Sequence, residues 1–322
     1  MLSPNVNSKE AKRLYREAKL SERAGDLKEC AHLNAQALTL DVTASQADWI
    51  MLRESPKHFR ERRALFRILS VKIDDISSTA LNEGKETDQS QSPKIFIYWG
   101  QGFDIAPPIV RACLKRTREL HDESDLVLLD DSNLDQWLTL PEHIYKVRQI
   151  SRAAFADVVR FSLLAKYGGV WLDATCMPTR NVLALLPQLL SGSGFFAFDK
   201  PGQAAGLMSN WFLASKPGNY LTVMNREALV LYWAMYDRVV TYFFMHQMFR
   251  HMYRLDERFH RLWNKTTRMP DNPRAVNGIL TAEFETVDYV AALAQSFVHK
   301  LSYKVSSGAS DSSVVRMIEN TV

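Results

Sequence analysis

The stretch AKYGGVWLDATC, residues 165–176, combines a helix end, two glycines, a short apolar run and one carboxylate. The run GVWL predicts a buried strand, and Asp173 follows it directly. Ligands of open α/β sheets bind beyond the carboxyl ends of the strands. A charge at such a place is seldom left without a partner. We therefore expect Asp173 to meet a divalent cation, a helix cap or an arginine.

Strands and helices alternate on both sides of this stretch. The predicted strands are KIFIYWG (94–100), DLVLLDD (125–131), VWLDAT (170–175), GFFAF (194–198) and NWFLAS (210–215). The helices between them are APPIVRACLKRTREL (106–120) and ISRAAFADVVRFSLLAKYGG (150–169), the latter capped by Ser151 and ended by Gly168. The alternation predicts an α/β fold with a mostly parallel sheet and helices on both faces.

The first 92 residues have a different pattern, which predicts a separate organisation. Residues 1–80 are predicted to be helical, with a hairpin at 14–41 that resembles one tetratricopeptide unit and a basic amphipathic helix at 55–72. The hairpin packs on the next domain or binds a partner, and the basic helix packs or lies on an anionic membrane surface. Polar residues 81–92 predict a linker, and 93–322 the main domain.

The composition of the chain limits the classes of function that it can have. The chain has 322 residues, is 46% apolar and carries a formal net charge of +4. This mild excess does not indicate nucleic acid, but it suits an anionic small substrate or an acidic membrane surface. Cys30, Cys113 and Cys176 form no CxxC pair, which argues against disulfides or structural zinc. With neither a signal-peptide core nor an apolar run of about 18 residues, we expect a cytoplasmic protein, at most peripheral at the inner face of the cell membrane.

Two further groups of residues are candidates for a site. Asp157 and Arg160 are three apart on one helix, which places them on one face as a functional pair or as a surface ion pair. The segment YWGQG (98–102) follows the first strand, and its glycines permit close approach of backbone amides to a ligand.

Three segments together resemble a known family: FIYWGQGFDIAPPIVRACLKR, ISRAAFADVVRFSLLAKYGGVWLDATC and the late HKLSYK. They resemble the bacterial capsular polysaccharide synthesis proteins, nucleotide-sugar glycosyltransferases related to glycosyltransferase family 32. The resemblance covers residues 93–305 and implies a GT-A-like, Rossmann-type sheet with a DxD-type motif. It also implies retention of the anomeric configuration.

The resemblance implies roles for individual residues. The catalytic residues would be Asp157, Arg160 and Asp173. The donor would be bound by Tyr98, Trp99, Gly100, Gln101, Asp157, Arg160, Gly169 and Lys300. Tyr98–Gln101 would hold the base and ribose, and Lys300 would lie near the diphosphate.

A divalent metal, Mn²⁺ or Mg²⁺, is also implied, with Asp173, Thr175 and His299 as its ligands. Thr175 stands where the family pattern has a second Asp, and a hydroxyl ligand carries no charge. His246 is a weaker alternative ligand, because it lies on an aromatic-rich helix.

The resemblance implies transfer of a sugar from a nucleoside-diphosphate sugar to an oligosaccharide or lipid-linked glycan. The basic helix and the aromatic helix near 242–253 could then face a membrane. Two alternatives stay open at this point: a non-catalytic scaffold with a degenerate transferase domain, and a transferase that glycosylates a protein.

Overall fold

The computed structural model describes residues 56–88, 90, 92–199, 207–239 and 243–321, together with single positions between 10 and 33. The predicted hairpin at 14–41 therefore lies, apart from such single positions, outside the described residues. The strands are β1 Ile95–Tyr98, β2 Leu126–Leu129, β3 Gly169–Leu172, β4 Cys176–Pro178, β5 Phe195–Asp199, β6 Met208–Ser215 and β7 Val298–Lys300.

The described helices are numbered in chain order. They are α1 Pro56–Glu86, α2 Pro108–Leu120, α3 Glu142–Ile150, α4 Arg152–Tyr167, α5 Leu186–Leu189, α6 Tyr220–Met235, α7 Phe244–Leu255, α8 Glu257–Asn264, α9 Ala275–Ile279, α10 Tyr289–Leu293 and α11 Val314–Glu319.

The central sheet has the strand order β2-β1-β3-β6-β5. β1 pairs in parallel with β2 and with β3, whereas β6 runs antiparallel to both β3 and β5. Four of the five strands therefore point the same way, which confirms the predicted α/β fold with a mostly parallel sheet.

Helices cover both faces of this sheet. Because successive strand residues point to opposite faces, each strand contributes side chains to two separate cores. Phe96 and Trp171 pack in one core with Phe155 of α4. Ile97 and Leu172 pack in a second core with α2. Ser151 caps α4 as predicted, since its hydroxyl accepts a hydrogen bond from the Ala154 amide at 3.3 Å.

The order of the strands creates a crevice between β1 and β3. The chain leaves β1 through α2 to β2 on one side, and returns through α3 and α4 to β3 on the other side. Ligand sites of open α/β sheets lie at such a switch point, beyond the carboxyl ends of the strands. The segments YWGQG and DATC both begin at this edge.

A two-stranded sheet of β4 and β7 stands beside the crevice. Its antiparallel register pairs Cys176 with Lys300 and Met177 with His299. Because β4 begins three residues after Asp173, this pairing brings the late HKLSYK segment next to the end of β3.

Helix α1 packs against the main domain. Its Ser77 hydroxyl lies 2.6 Å from the Tyr220 hydroxyl of α6, and its Glu83 forms an ion pair with Arg226 at 2.5 Å. The helix continues to Glu86, so the first part of the predicted linker at 81–92 is helical.

The aromatic segment at 239–263 forms two helices, because Asp256 ends α7 and caps α8 through the Phe259 amide at 2.6 Å. Phe244, Met248 and Phe249 of α7 are buried in the core. These apolar side chains of the described part therefore pack inside the protein, and contact of the segment with a membrane stays a prediction. None of the described helices combines the length and the apolar run that a membrane span requires.

Gly169 supports a stability prediction. It has φ +81°, and a Cβ at this position would lie 2.3 Å from the Lys94 carbonyl oxygen. We expect Gly169→Ala to lower the free energy of unfolding by at least about 2 kcal/mol, from backbone strain and the clash. Urea unfolding measures this, with Gly278→Ala as the control because a Cβ there meets nothing within 4 Å. Equal stability of the two variants would contradict the prediction.

Candidate functional site

Arg160 is the centre of a charged cluster at the switch point. It is only 5% exposed, and its guanidinium bridges two carboxylates. One guanidinium nitrogen donates to Asp157 one turn away on α4, and the other donates to Asp173 Oδ1 at 3.0 Å. The Arg160–Asp157 pair is thus a buried bridge that reaches the end of β3, and not a surface ion pair.

Lys300 completes the cluster from the second sheet. Its ammonium donates to Asp173 Oδ2 at 2.8 Å and to Thr175 Oγ1 at 2.6 Å. Both oxygens of Asp173 are therefore bound by cationic side chains, one from α4 and one from β7. The structure brings together the predicted residues Asp157, Arg160, Asp173, Thr175 and Lys300.

Two members of the cluster were not predicted from the sequence. Trp171 donates from its indole nitrogen to Asp173 Oδ1 at 2.8 Å, and its ring lies 5.1 Å from the Arg160 guanidinium carbon. Asn210 on β6 donates to Asp157 Oδ1 at 2.8 Å. The alternation of a strand was a usable signal for Trp171, because residues 171 and 173 point to the same face.

The two carboxyl groups of the cluster differ in acidity. Burial raises the pKa of Asp157 to about 6, although Arg160 and the Asn210 amide favour its charged form. Burial also opposes ionisation of Asp173. The charges of Lys300 and Arg160 and the hydrogen bonds from Lys300 and Trp171 outweigh this effect, so the pKa of Asp173 is lowered. Likewise, burial disfavours the ammonium of Lys300, but Asp173 holds the pKa of that amine above its ordinary value.

A cavity of about 190 Å³ opens at this cluster. Asp157, Arg160, Asp173, Asn210 and His246 supply most of its polar lining, and the rest is largely apolar. Larger cavities lie elsewhere, one of about 580 Å³ between α2 and α10 and one of about 570 Å³ at the amino-terminal end of β3. We place the candidate site at the smaller cavity, because the buried charges and the switch point coincide there.

The two aromatic residues of the YWGQG segment, Tyr98 and Trp99, do not flank one common ligand site. Tyr98 points into the core beside α4, where its hydroxyl donates to Asp131 at 2.5 Å. Trp99 points to the other face and meets Tyr303 edge-to-face, with ring centroids 5.7 Å apart. Gly100 is approached by the protein itself, since a Cβ there would lie 2.5 Å from an Arg152 nitrogen.

Other predicted residues lie apart from the cluster. Gly169 stands at the amino-terminal end of β3, and its absent side chain permits contact with Lys94 rather than with a ligand. Gln101 is exposed in the turn after β1. The His299 ring forms a hydrogen bond with the Leu293 carbonyl oxygen at 3.0 Å. It faces away from Asp173, because neighbouring residues of β7 point to opposite sides and Lys300 is on the side of Asp173.

The donor set at Asp173 does not match a divalent metal. Mg²⁺ and Mn²⁺ require several oxygen ligands around them. Here both Asp173 oxygens and the Thr175 hydroxyl already accept hydrogen bonds from cations. Within the described parts of the chain, no group of three acidic, histidine or cysteine residues is arranged to hold a metal.

Comparison with protein families identifies the chain. The family model of the capsular polysaccharide synthesis proteins matches residues 48–318. The chain belongs to the capsular polysaccharide synthesis protein family. A comparison with curated proteins finds no match. The family match begins well before residue 93, where the sequence resemblance was expected to start, and it includes helix α1 of this capsular polysaccharide synthesis protein.

The raised pKa of Asp157 predicts a dependence of stability on pH. Between its ordinary pKa of 3.8 and about 6, the folded state holds a proton that the unfolded state has lost. This group therefore makes the protein less stable as the pH rises, by roughly 1 kcal/mol between pH 5 and pH 7. We expect Asp157→Asn to remove that contribution, as urea unfolding at both pH values would show.

Asp104→Asn is the matched control, because Asp104 is exposed. If Asp157→Asn keeps the wild-type difference between pH 5 and pH 7, then Asp157 does not titrate in this range.

Proposed function

We propose that the chain is a glycosyltransferase of capsular polysaccharide synthesis, acting on a nucleoside-diphosphate sugar. The observation that carries this proposal is the pair of cations, Arg160 and Lys300, on the two oxygens of Asp173 at the switch point. The proposal includes a uridine or guanosine diphosphate donor and a glycan acceptor, lipid-linked or free. The relation to glycosyltransferase family 32 and retention of configuration belong to the same proposal.

The chemistry of glycosyl transfer explains why cations would be gathered here. Cleavage of the donor places negative charge on the diphosphate while positive character develops at the anomeric carbon. Fixed cations stabilise the leaving group without having to reorient during the reaction. Arg160 is held by two carboxylates and the Trp171 ring, so its position is set before any ligand arrives.

Asp157 has a different part in the proposal. Its carboxyl lines the cavity and is held by Arg160 and Asn210. A carboxylate so fixed can accept hydrogen bonds from the hydroxyls of a sugar and orient the ring. The divalent cation of the sequence analysis stays a prediction, and no step of this mechanism depends on it.

The aromatic pair of Trp99 and Tyr303 is proposed to receive the base. Tyr303 is 41% exposed and lies three residues after Lys300, so one segment carries both a cation and an aromatic ring. Trp99 lies at the end of β1, the parallel neighbour of β3. A base stacked on this pair would extend toward its diphosphate at Lys300.

Turnover tests the proposal directly. Purified protein is incubated with a panel of uridine and guanosine diphosphate sugars, with Mn²⁺ and separately with a chelator, and the released nucleoside diphosphate is measured. We expect Arg160→Lys to lower turnover roughly 10- to 100-fold, because one ammonium cannot replace a guanidinium that bridges two carboxylates. Arg261→Lys is the control, since Arg261 is exposed on α8.

A non-catalytic scaffold should bind no nucleoside diphosphate and turn over no donor. The absence of both binding and turnover would contradict the proposed function. Transfer to a protein acceptor in place of a glycan would leave the donor chemistry in place and correct the acceptor.

The base site yields a separate prediction. We expect Trp99→Ala to weaken UDP binding roughly 5- to 100-fold, which is the range for loss of a stacked base. Binding of inorganic diphosphate should be unchanged, because that ligand has no base. Phe284→Ala, at another partly exposed aromatic residue, serves as the control in isothermal titration. Equal weakening of both ligands would mean that Trp99 supports the fold rather than the base.

A further inference from the structure

We infer that the Lys300 ammonium is the cation that binds the donor diphosphate, in the place where related enzymes are expected to use a divalent metal. This inference rests on the proposed function and specifies its chemistry. It predicts binding of a nucleoside diphosphate that needs no added metal.

The position of the ammonium is the first argument. Lys300 Nζ lies 2.8 Å from Asp173 Oδ2 and 2.6 Å from Thr175 Oγ1. These are the two side chains to which the DxD-type motif would assign the metal. A positive charge of the protein therefore already occupies the point between the expected ligands.

The neighbouring charges are the second argument. A metal at Asp173 would have to displace Lys300 from one oxygen, or Arg160 and Trp171 from the other. It would also stand within a few ångströms of two permanent cations, where like-charge repulsion is strong because the site is largely buried. The sequence supplies a neutral hydroxyl at Thr175 where a second carboxylate would offset this repulsion.

The capacity of Lys300 to bind a phosphate oxygen is the third argument. An ammonium has three donors, and the described residues engage two of them through Asp173 and Thr175. About 17% of the Lys300 side chain is accessible to solvent. The β4–β7 pairing fixes the backbone from which the ammonium projects.

The experiment measures binding of UDP and GDP to the full chain by isothermal titration, once in EDTA and once in Mn²⁺. We expect the Kd for the better of the two ligands to differ by less than about threefold between the conditions. Binding that appears only with Mn²⁺ would overturn the inference and leave the proposed function standing. No binding of either ligand in either condition would contradict both.

Variants of Lys300 identify the group responsible. We expect Lys300→Met to weaken binding in EDTA roughly 10- to 100-fold, as for loss of a charge-assisted hydrogen bond. Lys300→Arg keeps the charge and should recover most of the affinity. Lys216→Met is the matched control, because it makes the same change of charge at an exposed site at the opposite end of the sheet.

Thermal unfolding of each variant establishes that it is folded, and the comparison of EDTA with Mn²⁺ for wild type does not depend on any variant. Equal affinities of the Met and Arg variants in EDTA would show that the charge at position 300 does not bind the diphosphate. That result would overturn the inference.

Discussion

The burial of the Arg160 guanidinium is the constraint on which the site depends. A buried cation is tolerated only if it is paired and hydrogen-bonded, and removal of one partner leaves an uncompensated charge. Arg160 meets this requirement with Asp157 from its own helix and Asp173 from the end of β3. One side chain therefore fixes the axial position of α4 against the central strand of the sheet. Trp171 and Asn210 then complete the hydrogen bonds of the two carboxylates.

The net charge of the cluster depends on the ionisation of Asp157. Two carboxylates and two cations cancel when Asp157 is ionised. Because burial raises the pKa of Asp157 to about 6, protonation near this pH leaves one net positive charge. The carboxylates and cations of the cluster are paired with one another without a ligand.

The sequence predicts the fold better than it predicts the completed site. The strands around Ile97 and Val170 and the helix capped by Ser151 follow from local periodicity and capping, and the structure has them at the expected places. The Asp157–Arg160 spacing likewise predicts a shared helix face. Asn210 was missed because its contact joins a strand to a helix residue 53 positions away in sequence, and it depends on the antiparallel pairing of β6 with β3, which no local pattern encodes.

The YWGQG segment and the pair Gly168-Gly169 show a second limit of sequence patterns. A glycine is required wherever another backbone or side chain comes close, whether or not a ligand is present. At Gly169 the close neighbour is the Lys94 carbonyl, and at Gly100 it is Arg152. Adjacent aromatic residues on a strand also separate to opposite faces, so Tyr98 enters the core while Trp99 pairs with Tyr303. Only the three-dimensional arrangement of the sheet distinguishes a glycine or aromatic residue at a ligand site from one at an internal contact.

The register of β4 and β7 decides which side chain of β7 faces Asp173. His299 and Lys300 are neighbours on one strand, so only one of them can face Asp173. The observed pairing of Cys176 with Lys300 gives that face to the ammonium and directs the imidazole toward the Leu293 carbonyl. A slip of one residue would reverse the two faces, because the side-chain period of a strand is two. The choice between a metal-ligating histidine and a built-in cation at Asp173 is therefore made by the pairing of two three-residue strands 120 residues apart.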